Sequence, residues 1–107
     1  MLKPKGGINV KIPVTEGAWR ETLATGENLM VVRFTFQAGA VVLTHRHMHE
    51  QSSYIVSGGL RYTLEGKAIV LHPGDSLVIP TNQEHSAVAL EDTIDINSFS
   101  PPREDYL

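Results

Sequence analysis

LRYTLEGKAIVLHPGDSLVIP, residues 60–80, is the stretch that decides the fold. In its first six residues Leu60, Tyr62 and Leu64 share one face and Arg61, Thr63 and Glu65 the other. That period of two is the pattern of a half-buried strand. Glu65-Gly66-Lys67 then supplies turn chemistry, 67–71 is a second apolar run, and Pro73-Gly74-Asp75 turns the chain again before a third run at 76–79. Working outward, LMVVRFTF at 29–36 alternates in the same way, with Met30, Val32, Phe34 and Phe36 opposite Leu29, Val31, Arg33 and Thr35. Short runs rich in Val, Ile, Leu, Tyr and Thr follow at 41–45, 52–56, 84–90 and 93–99. Helical spacing is nearly absent. Strands this short, separated by Gly58-Gly59, Thr81-Asn82 and similar punctuation, predict an all-β antiparallel sandwich or barrel.

The 107 residues suit one domain, predicted over 1–107, with one modest core. Hydrophobic residues at 41% and charged residues at 20% exclude a disordered chain. A formal charge of −3, with nine scattered Lys and Arg, leaves no basic footprint for nucleic acid. Without cysteine there is neither a disulfide framework nor a thiolate zinc site. MLKPKGGINVKIP lacks the apolar run of a signal peptide, and nowhere do about 20 apolar residues run together, so a cytoplasmic protein with no membrane partner is expected.

HRHMHEQ, residues 45–51, places His45, His47 and His49 on alternate positions. In a regular strand all three would point the same way, with neighbouring Cα atoms about 6.6 Å apart, close enough to converge on one ion. Imidazole suits Zn, Cu, Fe and Ni. His72, just before Pro73-Gly74, reads instead as a surface residue, Trp19 as a core or interface plug, and Arg33 as a solvated strand residue.

Gly39, His45, His47, Gln51 and Gly58-Gly59, in this order and spacing, resemble the first motif of the cupins over residues 39–59. Gly74-Asp75-Ser76-Leu77-Val78-Ile79-Pro80, followed by His85, resembles the second over 74–89. Gln51 stands where many members carry Glu, and Asn82 where Gly usually follows the proline; Asn tolerates left-handed backbone better than most residues. The resemblance implies a small jelly-roll barrel in which His45, His47, Gln51 and His85 hold one divalent metal ion, with Ni, Zn, Fe, Mn and Cu all open. Three imidazoles and an amide leave the dication uncompensated, so an anionic small molecule is the expected guest. His49 is not a ligand in that pattern; it is expected to orient Gln51 or line the pocket.

The end, IDINSFSPPREDYL, is similar to the closing segment of small pectin-degradation cupins, which linearise 4,5-unsaturated uronates. The likeness implies that Arg103 holds the uronate carboxylate and that Phe99 lines the sugar pocket; Tyr62 and His49 are expected as further substrate contacts. The proton-moving acid of those relatives is here Asn97, which cannot exchange a proton near neutral pH. Asp95 lies two residues earlier and could stand in only if the strand bulges; otherwise it is a solvated or paired strand carboxylate. Arg103 has a competing reading as a salt bridge to Glu104, Asp105 or another acid. Three functions stay open: a metal-dependent isomerase or lyase on a sugar acid or keto acid, a dioxygenase using Fe or Cu, and a non-catalytic binding protein. A homodimer is expected, because the run INVKIP could extend a partner's sheet edge.

Overall fold

A computed structural model describes residues 10–107. Ten strands, all paired antiparallel, form two sheets. The first has six strands in the order β1 (Ile12–Thr15), β2 (Ala18–Thr25), β3 (Met30–Phe36), β10 (Thr93–Ser100), β5 (Glu50–Ser57) and β8 (Ser76–Ile79). The second has β4 (Val41–His45), β9 (His85–Ala89), β6 (Leu60–Leu64) and β7 (Lys67–Leu71). This is the expected jelly-roll. One 3-10 turn, Glu104–Tyr106, is the sole helical element among the described residues, and no helix is long and apolar enough to cross a membrane.

The alternation predicted for β3 and β6 is the alternation of burial. Met30, Val32, Phe34 and Phe36 are buried along β3, and Leu60, Tyr62 and Leu64 along β6, so each strand gives one face to the core. Both sheets feed one apolar cluster, in which Met30, Ile55, Leu60, Ile79 and Phe99 are completely covered. Burying a side chain of this size is worth about 1.5–3 kcal/mol.

β1 and β2 lie outside the strands read from the sequence. The residues β2 buries are Ala18, Glu21 and Thr22, and a register shift between Thr22 and Ala24 changes the phase partway. A strand that buries small and polar residues and then bulges shows no apolar alternation to read. Of INVKIP, Ile8 and Asn9 lie outside the described residues; Ile12 and Pro13 pair with β2 at the sheet's edge.

Turn chemistry fixes the corners. Asn82 has φ 61°, the left-handed backbone that its type tolerates in place of glycine. Gly58 has φ 86°, and a Cβ there would collide with the carbonyl oxygen of Asp92 and come within 2.8 Å of Thr93 Cα. Gly58→Ala is therefore expected to cost more than the about 1–2 kcal/mol of left-handed backbone alone. A lower denaturant midpoint at unchanged slope would register it.

Candidate metal centre and pocket

The register of the small sheet sets His45 of β4 directly opposite His85 of β9. β4 ends at His45, and the chain then bends through residues 46–49 before β5 begins. His47 consequently reaches the cluster from a loop, with ring centroids 5.0 Å from His85 and 5.5 Å from His45. The His45 and His85 rings are 4.3 Å apart. The same bend removes His49 from the ligand face: the three residues whose nitrogens gather within 4.8 Å are His45, His47 and His85. His49 packs near Phe99, and of its two expected roles the first, orienting Gln51, is taken by Asn97.

Each gathered imidazole has Nδ1 against a main-chain carbonyl: His45 to Leu43 at 2.9 Å, His47 to His49 at 3.0 Å and His85 to Gln83 at 2.9 Å. A carbonyl only accepts, so Nδ1 carries the proton and Nε2 presents its lone pair. His85 Nε2 is buried with no hydrogen-bond partner. His47 Nε2 lies 3.0 Å from Gln51 Oε1, while Gln51 Nε2 donates to Asn97 Oδ1 at 2.6 Å. Two lone pairs thus face each other, an arrangement that a cation relieves. Adjacent donors at right angles, each about 2.1 Å from an ion, would also be about 3.0 Å apart. The donor set fits a divalent metal, with Gln51 aimed by Asn97 rather than by His49.

Burial lowers the pKa of His47 to about 4, and the positive charges of Arg103, His85 and His45 act in the same direction against a weaker Gln51 hydrogen bond. Burial lowers His85 as well; the Gln83 carbonyl opposes it, and the charges of His45 and Arg103 add to it. Their neutral forms are the metal-binding forms. Depressed folded-state values mean that the unfolded chain protonates first on acidification. The stability that these two neutral imidazoles contribute to the metal-free protein is thus fully present above pH 6.5 and is lost as the pH falls toward about 4. Thermal midpoints of chelated protein across that window are expected to show the loss.

The centre opens on a cavity of about 250 Å³, the scale of a monosaccharide, whose walls include His45, Gln51, His85, Phe99, Arg103 and Tyr106. Phe99 is fully buried and forms wall and core at once, 5.9 Å from the His47 ring and 5.8 Å from Tyr106. Arg103 stacks over Tyr106 at 4.2 Å and gives Nε and Nη2 to Asp105 at 3.2 and 2.8 Å. Burial works against the Asp105 carboxylate, but Arg103's hydrogen bonds and charge outweigh it and leave its pKa below the ordinary value. The salt-bridge reading of Arg103 is therefore the observed contact, and Nη1 stays uncommitted to Asp105 at the pocket wall.

Of the two expectations for Asp95, solvated or paired, the structure shows the second: it is 1% exposed, lines the same cavity and sits at a register shift between β10 and β5. Ser53 donates to its Oδ1 at 2.6 Å, and Tyr62 reaches Oδ2 at 3.2 Å. Tyr62 lines the cavity too, with its hydroxyl turned to Asp95 and Ser53. Ser53 was not singled out from the sequence; its parity with Gln51 and Ile55 on β5 was the available signal. His72 is exposed, 3.5 Å from Asp75. Arg33 pairs with Glu21 at 3.3 Å, and Trp19 is half-buried away from the metal centre.

A barrel of two antiparallel sheets with a histidine cluster at one end defines a cupin, and the chain belongs to that family: the Cupin_2 cupin domain matches residues 32–96. Among individual proteins it is similar to the pectin degradation protein KdgF of Dickeya dadantii, 33% identical over 94 residues, 86% of each chain. The solved structure of KdgF from a Halomonas species superposes with a TM-score of 0.88 at 39% identity, covering 98% of this chain and all of that one. An RmlC-like cupin from Shewanella frigidimarina gives 0.86 at 36% identity, over 91% and 87% of the two chains.

Proposed function

We propose that this protein is a metal-dependent isomerase that opens the ring of a 4,5-unsaturated uronate, in the manner of the pectin-degradation cupins it resembles. The observation that carries the reading is the gathering of three imidazoles, two of which, His45 and His85, line with Arg103 a single cavity of monosaccharide size. A divalent ion held by His45, His47, His85 and Gln51 would supply Lewis acidity to a sugar oxygen. Arg103 binds the uronate carboxylate through the guanidinium edge that Asp105 leaves free. Phe99 and Tyr106 wall the ring in and exclude water. Asn97 keeps Gln51 Oε1 turned toward the imidazoles, a positioning role in place of proton transfer.

The test is direct: chelated protein reloaded separately with Ni, Zn, Fe, Mn or Cu is mixed with unsaturated uronate, and the ring form is followed by proton NMR. Faster conversion to the linear keto acid in at least one loaded form, and not in the chelated form, is the expected result. No acceleration with any of them would overturn the reading in favour of a binding protein, the alternative that Asn97 favours.

The cytoplasm is the proposed location and a second copy of the chain the proposed partner, added at the open edge of β1. A clean monomer in size-exclusion chromatography with light scattering at micromolar concentration would refute the dimer.

A further inference from the structure

We propose that Asp95 is the proton-carrying carboxylate of this site, two positions deeper on β10 than the place where related proteins keep their acid; the proposal rests on the uronate reading above.

Thr93, Asp95, Asn97 and Phe99 are buried along one face of β10, so Asp95 and Asn97 look into the same chamber. Asp95 is the carboxylate among the side chains that line it. The other titratable groups at the site have other tasks. The three imidazoles spend Nδ1–H on carbonyls and turn Nε2 to the ion position. The Arg103 guanidinium is a donor only, with no acceptor atom. Burial, reinforced by the Asp95 charge, raises the pKa of Tyr62 well above its ordinary value, so its hydroxyl stays neutral.

A carboxylate in an apolar barrel is costly unless something holds it. Here Ser53 donates to Oδ1 at 2.6 Å, while the single Tyr62 proton is shared between Asp95 Oδ2 at 3.2 Å and Ser53 Oγ at 3.1 Å. A carboxylate offers about four lone-pair sites, so Oδ2 keeps capacity to accept a proton. Burial raises the carboxyl's pKa, and hydrogen bonds, led by that from Ser53, pull it back without cancelling the rise. A raised carboxyl, held in place but incompletely satisfied, is suited to receive and return a proton.

The reaction needs one such carrier. Asp95 takes the proton from the anomeric O1 hydroxyl. The C1–O1 bond becomes a carbonyl as C1–O5 breaks, O5 becomes the ketone oxygen on C5, and the C4=C5 electron pair takes the proton onto C4. No electron is gained or lost and no second reactant is consumed.

In metal-loaded protein, Asp95→Asn is expected to lower kcat by about 10²–10⁴-fold, with ion content and cooperative unfolding retained. Asp95→Asn combined with Asn97→Asp, which returns the acid to the shallower position on the same face, should recover at least about tenfold of that loss, a gain no structural role predicts. Asp95→Asn with kcat near that of the wild type overturns the proposal, as does a folded, loaded double variant that recovers nothing. A wild type without ring-opening overturns the uronate reading along with it, so the two failures are distinguishable. Should Asp95→Asn not fold, Ser53→Ala decides. Removing a donor to the charged carboxylate raises its pKa, so the acid limb of kcat should move to higher pH. Tyr62 of β6 is the titratable group that faces Asp95; its neighbours Ser53 of β5, Asn97 of β10 and Phe34 of β3 do not titrate. An acid limb that stays in place overturns the proposal.

Discussion

His47→Ala is expected to strip the protein of its ion and of turnover together. His47 is one of three gathered imidazoles, and Gln51 Oε1 sits 3.0 Å from its Nε2, so its loss removes a donor and leaves the amide without a neighbour in the cluster. Losing an outer-shell partner alone commonly costs about 10–100-fold in metal affinity, and losing a ligand costs more. Lewis-acid assistance is worth several kcal/mol, so uronate ring-opening should fall by about 10³-fold or more at about 1.36 kcal/mol per factor of ten. Folding should survive, because His47 stands in the bend at 46–49 rather than in a strand. Metal analysis after gel filtration, beside a thermal scan, separates the two effects. The variant should also lose part of the acid destabilisation between pH 6.5 and about 4 that His47 causes. Turnover preserved in a metal-free His47→Ala protein would reject the metal-dependent reading.

How the sequence announces this site differs from residue to residue. β3 and β6 alternate cleanly because each buries one face of large side chains, and their parity carries straight into burial. β10 buries Thr93, Asp95, Asn97 and Phe99 and leaves Ile94 and Ile96 half-buried, so its aliphatic residues mark the opposite face. β2 was silent, since Ala18, Glu21 and Thr22 do inside what Val or Phe would do elsewhere. His45, Gln51 and His85 came from motif likeness. The strand geometry invoked for HRHMHEQ was wrong in one respect: β4 stops at His45, and the bend that follows brings His47 in and turns His49 away. Asp95 could have been placed from the sequence by parity, because it shares an odd-numbered face with Phe99. The spacing of about 6.6 Å from Asn97 along a regular strand argued against it, whereas β10 shifts register against β5 between Ile94 and Asp95. The hydroxyls that reverse that judgement, on Ser53 and Tyr62, come from β5 and β6, 42 and 33 positions away, beyond the reach of a local pattern. Asp105 as the partner that aims Arg103 was legible only as one of several candidate acids.

Arg103→Ala is expected to weaken uronate binding while leaving the metal centre intact. The guanidinium is held on two sides: Asp105 takes Nε and Nη2, and the Tyr106 ring lies 4.2 Å below it, with Arg20 on the same ring at 4.1 Å. Such fixing costs little further entropy when an anion arrives, so the remaining N–H groups act as a preorganised clamp. A hydrogen bond to a charged group is worth about 1.5–3 kcal/mol, which corresponds to about 10–100-fold in kcat/KM, carried mainly by KM. Arg103→Lys should fall between wild type and alanine, because an ammonium keeps the charge and loses the planar fork. Asp105→Asn should cost only a few-fold, since the Asp105 side chain is 58% exposed and acts on substrate only through Arg103. The discriminating comparison is between the uronate and its methyl ester. If Arg103 reads the carboxylate, the ester binds wild type and Arg103→Ala with nearly equal KM, and the penalty of the substitution is confined to the acid. An equal penalty on both substrates would place Arg103 among the walls of the pocket and move anion recognition to the metal.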